Sequence, residues 1–289
     1  MAETKTILVA GVTGQQGGSV AKSLLKRGHR VVGLTRNPSN FPDLEAKGIR
    51  AVQGDLTDAA SLAAALRGVD GFFLMTTPFG PYFSVDTEME IRQGTTGIDA
   101  ARAARTPHLI LASVGSADEG TGIPHFESKA KVEQYLKGTD LRYTITRPVA
   151  FMDSLMSPWM ADAIRSGILA RPMPPTTRQQ LVAVKDIGEI VARAFDRPDK
   201  ASGKTVDLAG DEVTVEEQAR KLGERLGHPI RYVEIPDGQA MQQMGEDPIR
   251  MFRWFRTVGY HVDIPALETE WGYRMTRFDE YLSAATWEG

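Results

Sequence analysis

The sequence predicts an α/β fold: a doubly wound parallel sheet with helices on both faces and a smaller C-terminal domain. Three observations carry this expectation. Short, nearly continuous apolar runs recur through residues 1–150. Helical stretches of about 10–15 residues separate them, the pattern of a parallel sheet buried on both sides. A glycine-studded turn joins the first run to the first helix. Right-handed crossovers then make the doubly wound arrangement the leading topology.

The elements follow in order. Residues 6–10 (TILVA) read as a buried strand, GGSVAKSLLKRG as a helix closed by Gly28, and 30–35 (RVVGLT) as the second strand. Residues 49–55 give the third strand, DAASLAAALRG a helix, and 71–77 the fourth strand. A helix is expected from about Asp86 to Ala104, and a strand over 108–113. HFESKAKVEQYLKG is helical and 142–148 is the sixth strand. After Pro148 the rhythm breaks, and the Met- and Pro-rich stretch up to Gln180 reads as irregular. LVAVKDIGEIVARAFD restores a strand-to-helix unit with Asp186 as a candidate N-cap. Residues 205–210 are strand-like, and Thr214 with Glu217 fits a capping box. IRYVEIP is a late strand, and the mostly helical stretch after it must break near Pro248.

Composition narrows the function. The net charge of −3 offers no basic surface for direct nucleic-acid binding. With no cysteine, disulfides, thiolate metal sites and cysteine nucleophiles are excluded. The five histidines include no pair at zinc-ligand spacing, so no metal is expected. MAETKT is polar, and no apolar run approaches the roughly 20 residues of a membrane span. The expectation is a cytoplasmic protein that does not enter a membrane.

Gly11, Gly14 and Gly17 stand between the first strand and the first helix. Gly11 permits the sharp turn, Gly14 lets a pyrophosphate approach the backbone, and Gly17 lets helix and sheet pack closely. The helix N-terminus then presents unpaired N–H groups and a positive dipole end to phosphate. Thr13, Gln15 and Gln16 complete this turn. The expected fold is therefore of the Rossmann type.

Strand two ends in LTRNP, with Arg36 and Asn37 where many such sites carry a carboxylate. A carboxylate would bind the ribose 2′-hydroxyl and repel a 2′-phosphate, whereas a guanidinium clamps the phosphate. Arg36 therefore favours NADP(H); the competing reading is a solvated surface arginine. Asp55 and Leu56 follow strand three near the adenine end, where Asp55 reads equally as a loop cap. Thr76 and Thr77, after strand four, are expected to face the cofactor cleft. These assignments make residues 1–150 an NADP(H)-binding domain, with 181–212 returning to it, and 151–289 a smaller substrate or partner domain.

The catalytic end is less complete. Ser113 ends strand five and Lys129 lies on the next helix, yet no tyrosine in the chain precedes a lysine by four residues. Short-chain dehydrogenases use such a tyrosine as proton donor. His125 occupies that position and, with Lys129, makes the candidate catalytic set, His125 as proton donor against the alternative of a surface or capping histidine.

The segments AGVTGQQGGSVAKSLLKRGHRVVGLTRNP, AVQGDLTD, HFESKAKVEQYL, RPVAFMDS and IRMFRWFRTVGYHVDIPAL resemble the NmrA-like family of atypical short-chain dehydrogenase/reductases. They look most like its NADPH-sensing branch. The resemblance implies phosphate contacts from Gly11 to Gln16, a 2′-phosphate contact at Arg36, and a ribose contact at Lys129. It also places Phe151 to Ser154 beside the nicotinamide. The chain departs from that branch in SVGSADEGTGIP and in Asp153-Ser154, where Glu-Asn is usual.

Such a family implies one of two functions. The first is an NADPH-dependent reductase of a small aromatic or quinone-like acceptor, with Phe151, Met152, Met156, Trp159 and Met160 lining an apolar cleft or simply packing. The second is a redox sensor that regulates a partner protein, or a homodimer, as the bound cofactor changes. PIRMFRWFRTVGY could form that partner surface or pack internally.

Overall fold

The computed structural model describes residues 3–80 and 84–287, and all but the side chain of Trp159 among them. Strands β1 (Thr6–Ala10), β2 (Arg30–Thr35), β3 (Ile49–Gln53), β4 (Gly71–Met75), β5 (Leu109–Ala112) and β6 (Tyr143–Pro148) share one parallel sheet. Helices α1 (Gln15–Lys26), α2 (Asp43–Ala46), α3 (Ala59–Ala65), α4 (Thr87–Ala103) and α5 (Pro124–Lys137) connect them.

The later elements are β7 (Ala150–Phe151), α6 (Pro158–Arg165), β8 (Ile168–Arg171), β9 (Arg178–Val182), α7 (Val184–Asp196) and α8 (Pro198–Ala201). They continue as β10 (Thr205–Leu208), β11 (Asp211–Thr214), α9 (Val215–Leu226) and β12 (Arg231–Glu234). The chain closes with α10 (Asp237–Met244), α11 (Glu246–Thr257), α12 (Ile264–Trp271) and α13 (Phe278–Ala284).

Strand order in the main sheet is β10-β6-β5-β4-β1-β2-β3. β1 lies between β2 and β4, with Ile7 opposite both Val31 and Gly71. Period-2 alternation divides the apolar strands between two cores. Ile7, Val9 and Phe73 face one side; Leu8, Phe72 and Leu74 face the other. This is the doubly wound parallel sheet that the apolar runs predict. The sheet's order reverses beside β1, which opens a crevice at the strands' carboxyl ends.

The second half of the chain contributes to this layer. β10 pairs with β6 as the seventh strand, and α7 lies along α1. That approach is close: a Cβ at Gly188 would stand 2.6 Å from the Ser19 carbonyl oxygen. The remaining strands form a β11-β9-β7 sheet and a β12-β8 pair.

Two local expectations are revised, and a third, the break near Pro248, holds with a different residue making it. The Met- and Pro-rich stretch after Pro148 contains β7, α6, β8 and the start of β9, each too short to show a period. Asp186 is not an N-cap, because α7 begins at Val184 with Ala183 in the cap position. Asp186 is instead fully buried and accepts hydrogen bonds from the Tyr273 hydroxyl and from Thr276 N and Oγ1. The late helical stretch breaks at Gly245, whose φ of +80° suits glycine. Pro248 then sits in the first turn of α11, where its missing N–H costs no helical bond. The Thr214–Glu217 capping box forms as expected.

The aromatic face of α11 is internal. Phe252, Trp254 and Phe255 are buried, and Trp254 packs edge-on against Phe126 of α5 and against Tyr260. Internal packing is the use this structure shows for PIRMFRWFRTVGY. Among the described residues no helix is long and apolar enough to cross a membrane.

Candidate functional site

The crevice beside β1 is built from the glycine turn. Gly11 takes φ +66°, and its carbonyl accepts a 2.9 Å hydrogen bond from Gly14 N. A Cβ at Gly17 would lie 2.2 Å from the Gly11 oxygen, so only glycine lets α1 rest on the turn. Gly14 differs: an added Cβ there would meet only the Gly11 oxygen, at 3.4 Å, and otherwise project into open space. No protein packing demands glycine at position 14; a ligand lying against the backbone would. No side chain caps α1, and no acidic residue stands in its first turn. Its N–H groups and dipole therefore face the crevice unneutralised.

The cleft in front of this turn has a volume of about 810 Å³. Gly11, Thr13, Gly14, Arg36, Asn37, Asp55, Leu56 and Thr77 all line it. Gln15 is exposed in the first turn of α1, while Gly17 is buried behind it. Gln16 keeps a buried side-chain oxygen without a hydrogen-bond partner. Arg36 is exposed at the end of β2, and among the described residues no ion pair engages its guanidinium. Its backbone carbonyl accepts from the Gln53 side chain. Asn37 accepts from the Ser39 hydroxyl.

Asp55 lines the cleft and also caps its own loop, accepting from Thr57 N and Oγ1 at 2.7 Å each. Those two bonds, with a smaller contribution from the Arg36 charge, hold its carboxyl below the usual range. It stays ionised at neutral pH, where it can accept from a ribose or base.

Phe41 and Phe79 also line the cleft, and both are exposed, at 40% and 50%. Exposed phenylalanines on loops at the carboxyl edge of a sheet were the available signal for them. Exposed aromatic faces there suit a stacked ring.

Thr76 does not line the cleft. Alternation along β4 turns it inward, where its hydroxyl donates to Glu90 Oε1 at 2.9 Å. Glu90 of α4 is fully buried, accepts from Ser128 Oγ at 2.5 Å, and holds Lys129 Nζ at 2.8 Å. Lys129 Nζ also reaches Thr76 Oγ1 at 3.4 Å, which puts the ammonium just behind the end of β4. Residue spacing alone did not reveal Glu90, since an acid within a helix usually faces solvent.

His125 is buried in the first turn of α5. Asp247 of α11 grips it twice, accepting from His125 N at 3.0 Å and meeting ring Nδ1 at 2.5 Å. The ring packs on Phe79, with centroids 5.3 Å apart, and edge-on to Phe126. It is therefore no surface residue. Ser113 turns the other way and donates to Glu133 Oε1, a carboxylate that also holds Arg147. Phe151 stands apart in β7, half-buried against the core. Of its expected apolar neighbours, Met152 and Met160 are buried in the core, and the Trp159 side chain lies outside the described residues.

The NmrA-like family model matches residues 3–287. The (4-alkanoyl-5-oxo-2,5-dihydrofuran-3-yl)methyl phosphate reductase of Streptomyces griseus subsp. griseus is 30% identical over 231 residues, 79% of this chain and 77% of that protein. The NAD(P)H azoreductase of Xenophilus azovorans is 27% identical over 239 residues, 82% of this chain and 80% of that protein. Among solved structures, Citrobacter sp. triphenylmethane reductase complexed with NADP(H) superimposes with a TM-score of 0.82 at 20% identity, covering 97% of this chain and 100% of that one. NmrA, a negative transcriptional regulator, gives 0.77 at 20% identity, covering 98% and 95%. Both superpositions express a shared fold. With the match running across nearly its whole length, this chain belongs to the NmrA-like family.

Proposed function

We propose that this protein is an NADP(H)-dependent reductase of a small aromatic or quinone-like acceptor. One observation carries the cofactor choice: the unpaired Arg36 guanidinium at the end of β2, in the same cleft as the open backbone at Gly14. A phosphate on the adenosine ribose would answer that charge with paired hydrogen bonds. The reductase names of the two curated relatives support the reaction class.

In this reading the residues divide the work. The α1 N-terminus, with Thr13, Gln15 and Gln16, holds the pyrophosphate, and Arg36 with Asn37 holds the 2′-phosphate. Asp55, Leu56 and Thr77 bound the adenosine half. Lys129, which pairs with Glu90 beside Thr76, is assigned the nicotinamide ribose, with Phe151 farther along. NADPH, when bound, supplies the hydride. The protein's task is to fix that donor, exclude water and bring the acceptor alongside.

The test is a pair of titrations with NADPH and NADH, followed by NADPH oxidation across quinones, azo compounds and triphenylmethane dyes. Tighter binding of NADPH and turnover of at least one acceptor class are expected. Silence across the panel, with cofactor still bound, would instead favour a sensor whose partner reads the bound cofactor. The missing tyrosine is what favours that second reading.

A further inference from the structure

We propose that His125 and Asp247 form the proton-delivering pair of this reductase, with Asp247 as the positioning residue. The inference rests on the reductase reading and adds a contribution from the C-terminal half of the chain.

Hydride transfer to a quinone leaves an oxyanion that must take up one proton. The tyrosine that usually gives it is absent, and Ser113 is committed to Glu133. His125 stands four residues before Lys129, so both lie on one face of α5. A carboxylate can only accept, so Asp247 at 2.5 Å fixes the proton on Nδ1. The second bond, from His125 N to the other Asp247 oxygen, sets the carboxylate's angle. Nε2 has no partner among the described residues and is left for an acceptor. His125 is buried and lies directly behind Phe79, which packs on its ring and lines the cofactor cleft, so one side chain stands between the imidazole and that space.

Asp247 has no other hydrogen-bond partner among the described residues. A buried carboxylate is costly unless a cation or a strong donor compensates it. Here the compensation comes from the two His125 donors and from the N-terminal turn of α11, in which Asp247 sits. The other charged groups nearby are occupied: Lys129 with Glu90, Arg250 with Glu246 and the Gly122 carbonyl, and Glu127 with Gly122 N. The step balances simply. The acceptor takes a hydride from the cofactor and a proton from imidazolium Nε2; the N–H bond breaks, an O–H bond forms, and solvent reprotonates the ring.

The test compares two acceptors that differ in proton demand. Reduction of p-benzoquinone needs hydride and proton; reduction of a cationic triphenylmethane dye needs hydride alone, because the cation is neutralised. In H125Q and D247N, kcat for the quinone should fall about 100-fold, while dye reduction and NADPH affinity stay near those of the parent. D247E should recover part of the quinone rate. Equal losses on both acceptors, or quinone turnover unchanged in D247N, would overturn the pair while leaving the reductase standing. A parent protein that reduces neither acceptor would remove the reductase reading and the pair with it.

Discussion

Lys129 Nζ lies 2.8 Å from the carboxylate of Glu90, a side chain with no exposed surface. The ion pair joins α4 to α5 across 39 residues and sets the ammonium beneath the end of β4. Breaking it from one side strands a buried charge. Lys129→Met should therefore destabilise the fold by about 3 kcal/mol, and Glu90→Gln added to it should recover most of that loss. Chemical denaturation of the two single variants and the double variant measures the coupling. Simple additivity would show that the pair is not coupled.

Arg36→Ala should weaken NADPH binding about 10- to 100-fold, the loss of a charge-assisted phosphate contact. Affinity for NADH should hardly change. Parallel fluorescence titrations read both, and an unchanged NADPH-to-NADH ratio would remove the 2′-phosphate assignment.

The two glycines of the turn should separate folding from binding. Gly17→Ala drives a methyl group to within 2.2 Å of the Gly11 oxygen and should lower stability by about 3 kcal/mol. Gly14→Ala meets no protein atom closer than 3.4 Å and should fold like the parent. It should nonetheless bind NADPH more weakly. Thermal melting alongside cofactor titration distinguishes the two outcomes.

Burial lowers the His108 pKa from 6.5 to about 4, with minor help from the Arg142 and Lys5 charges. The folded state therefore holds this ring neutral at pH values where the unfolded chain protonates it. Above about pH 6.5 the contribution is complete; it drains away as pH falls toward about 4, by about 3 kcal/mol in total. His108→Gln should flatten unfolding free energy against pH across that window. Equal slopes in the two proteins would contradict the assignment.

The central sheet was legible in the sequence because its strands are buried on both faces, which leaves unbroken apolar runs such as TILVA and GFFLM. The glycine turn and Arg36 were legible because strand, turn and helix are contiguous there. β8 and β11 were not, since four residues show no period and their partners lie elsewhere in the chain. Glu90 and Asp247 escaped notice for a related reason. Each reads as an ordinary helical acid until the fold brings a partner from 39 or 122 residues away. Asp186 shows the reverse error, a local capping pattern overridden by Tyr273 and Thr276 from the far end of the chain.

The seventh strand of the main sheet has a consequence for how this chain can be cut and made. A fragment ending at residue 150 would expose the bare edge of β6 that β10 covers, and the flank against which Phe195 packs. Such a fragment should aggregate rather than serve as a portable nucleotide module. During synthesis the same edge stays open until residue 208 has left the ribosome, so the N-terminal half must wait for the C-terminal half before it can settle.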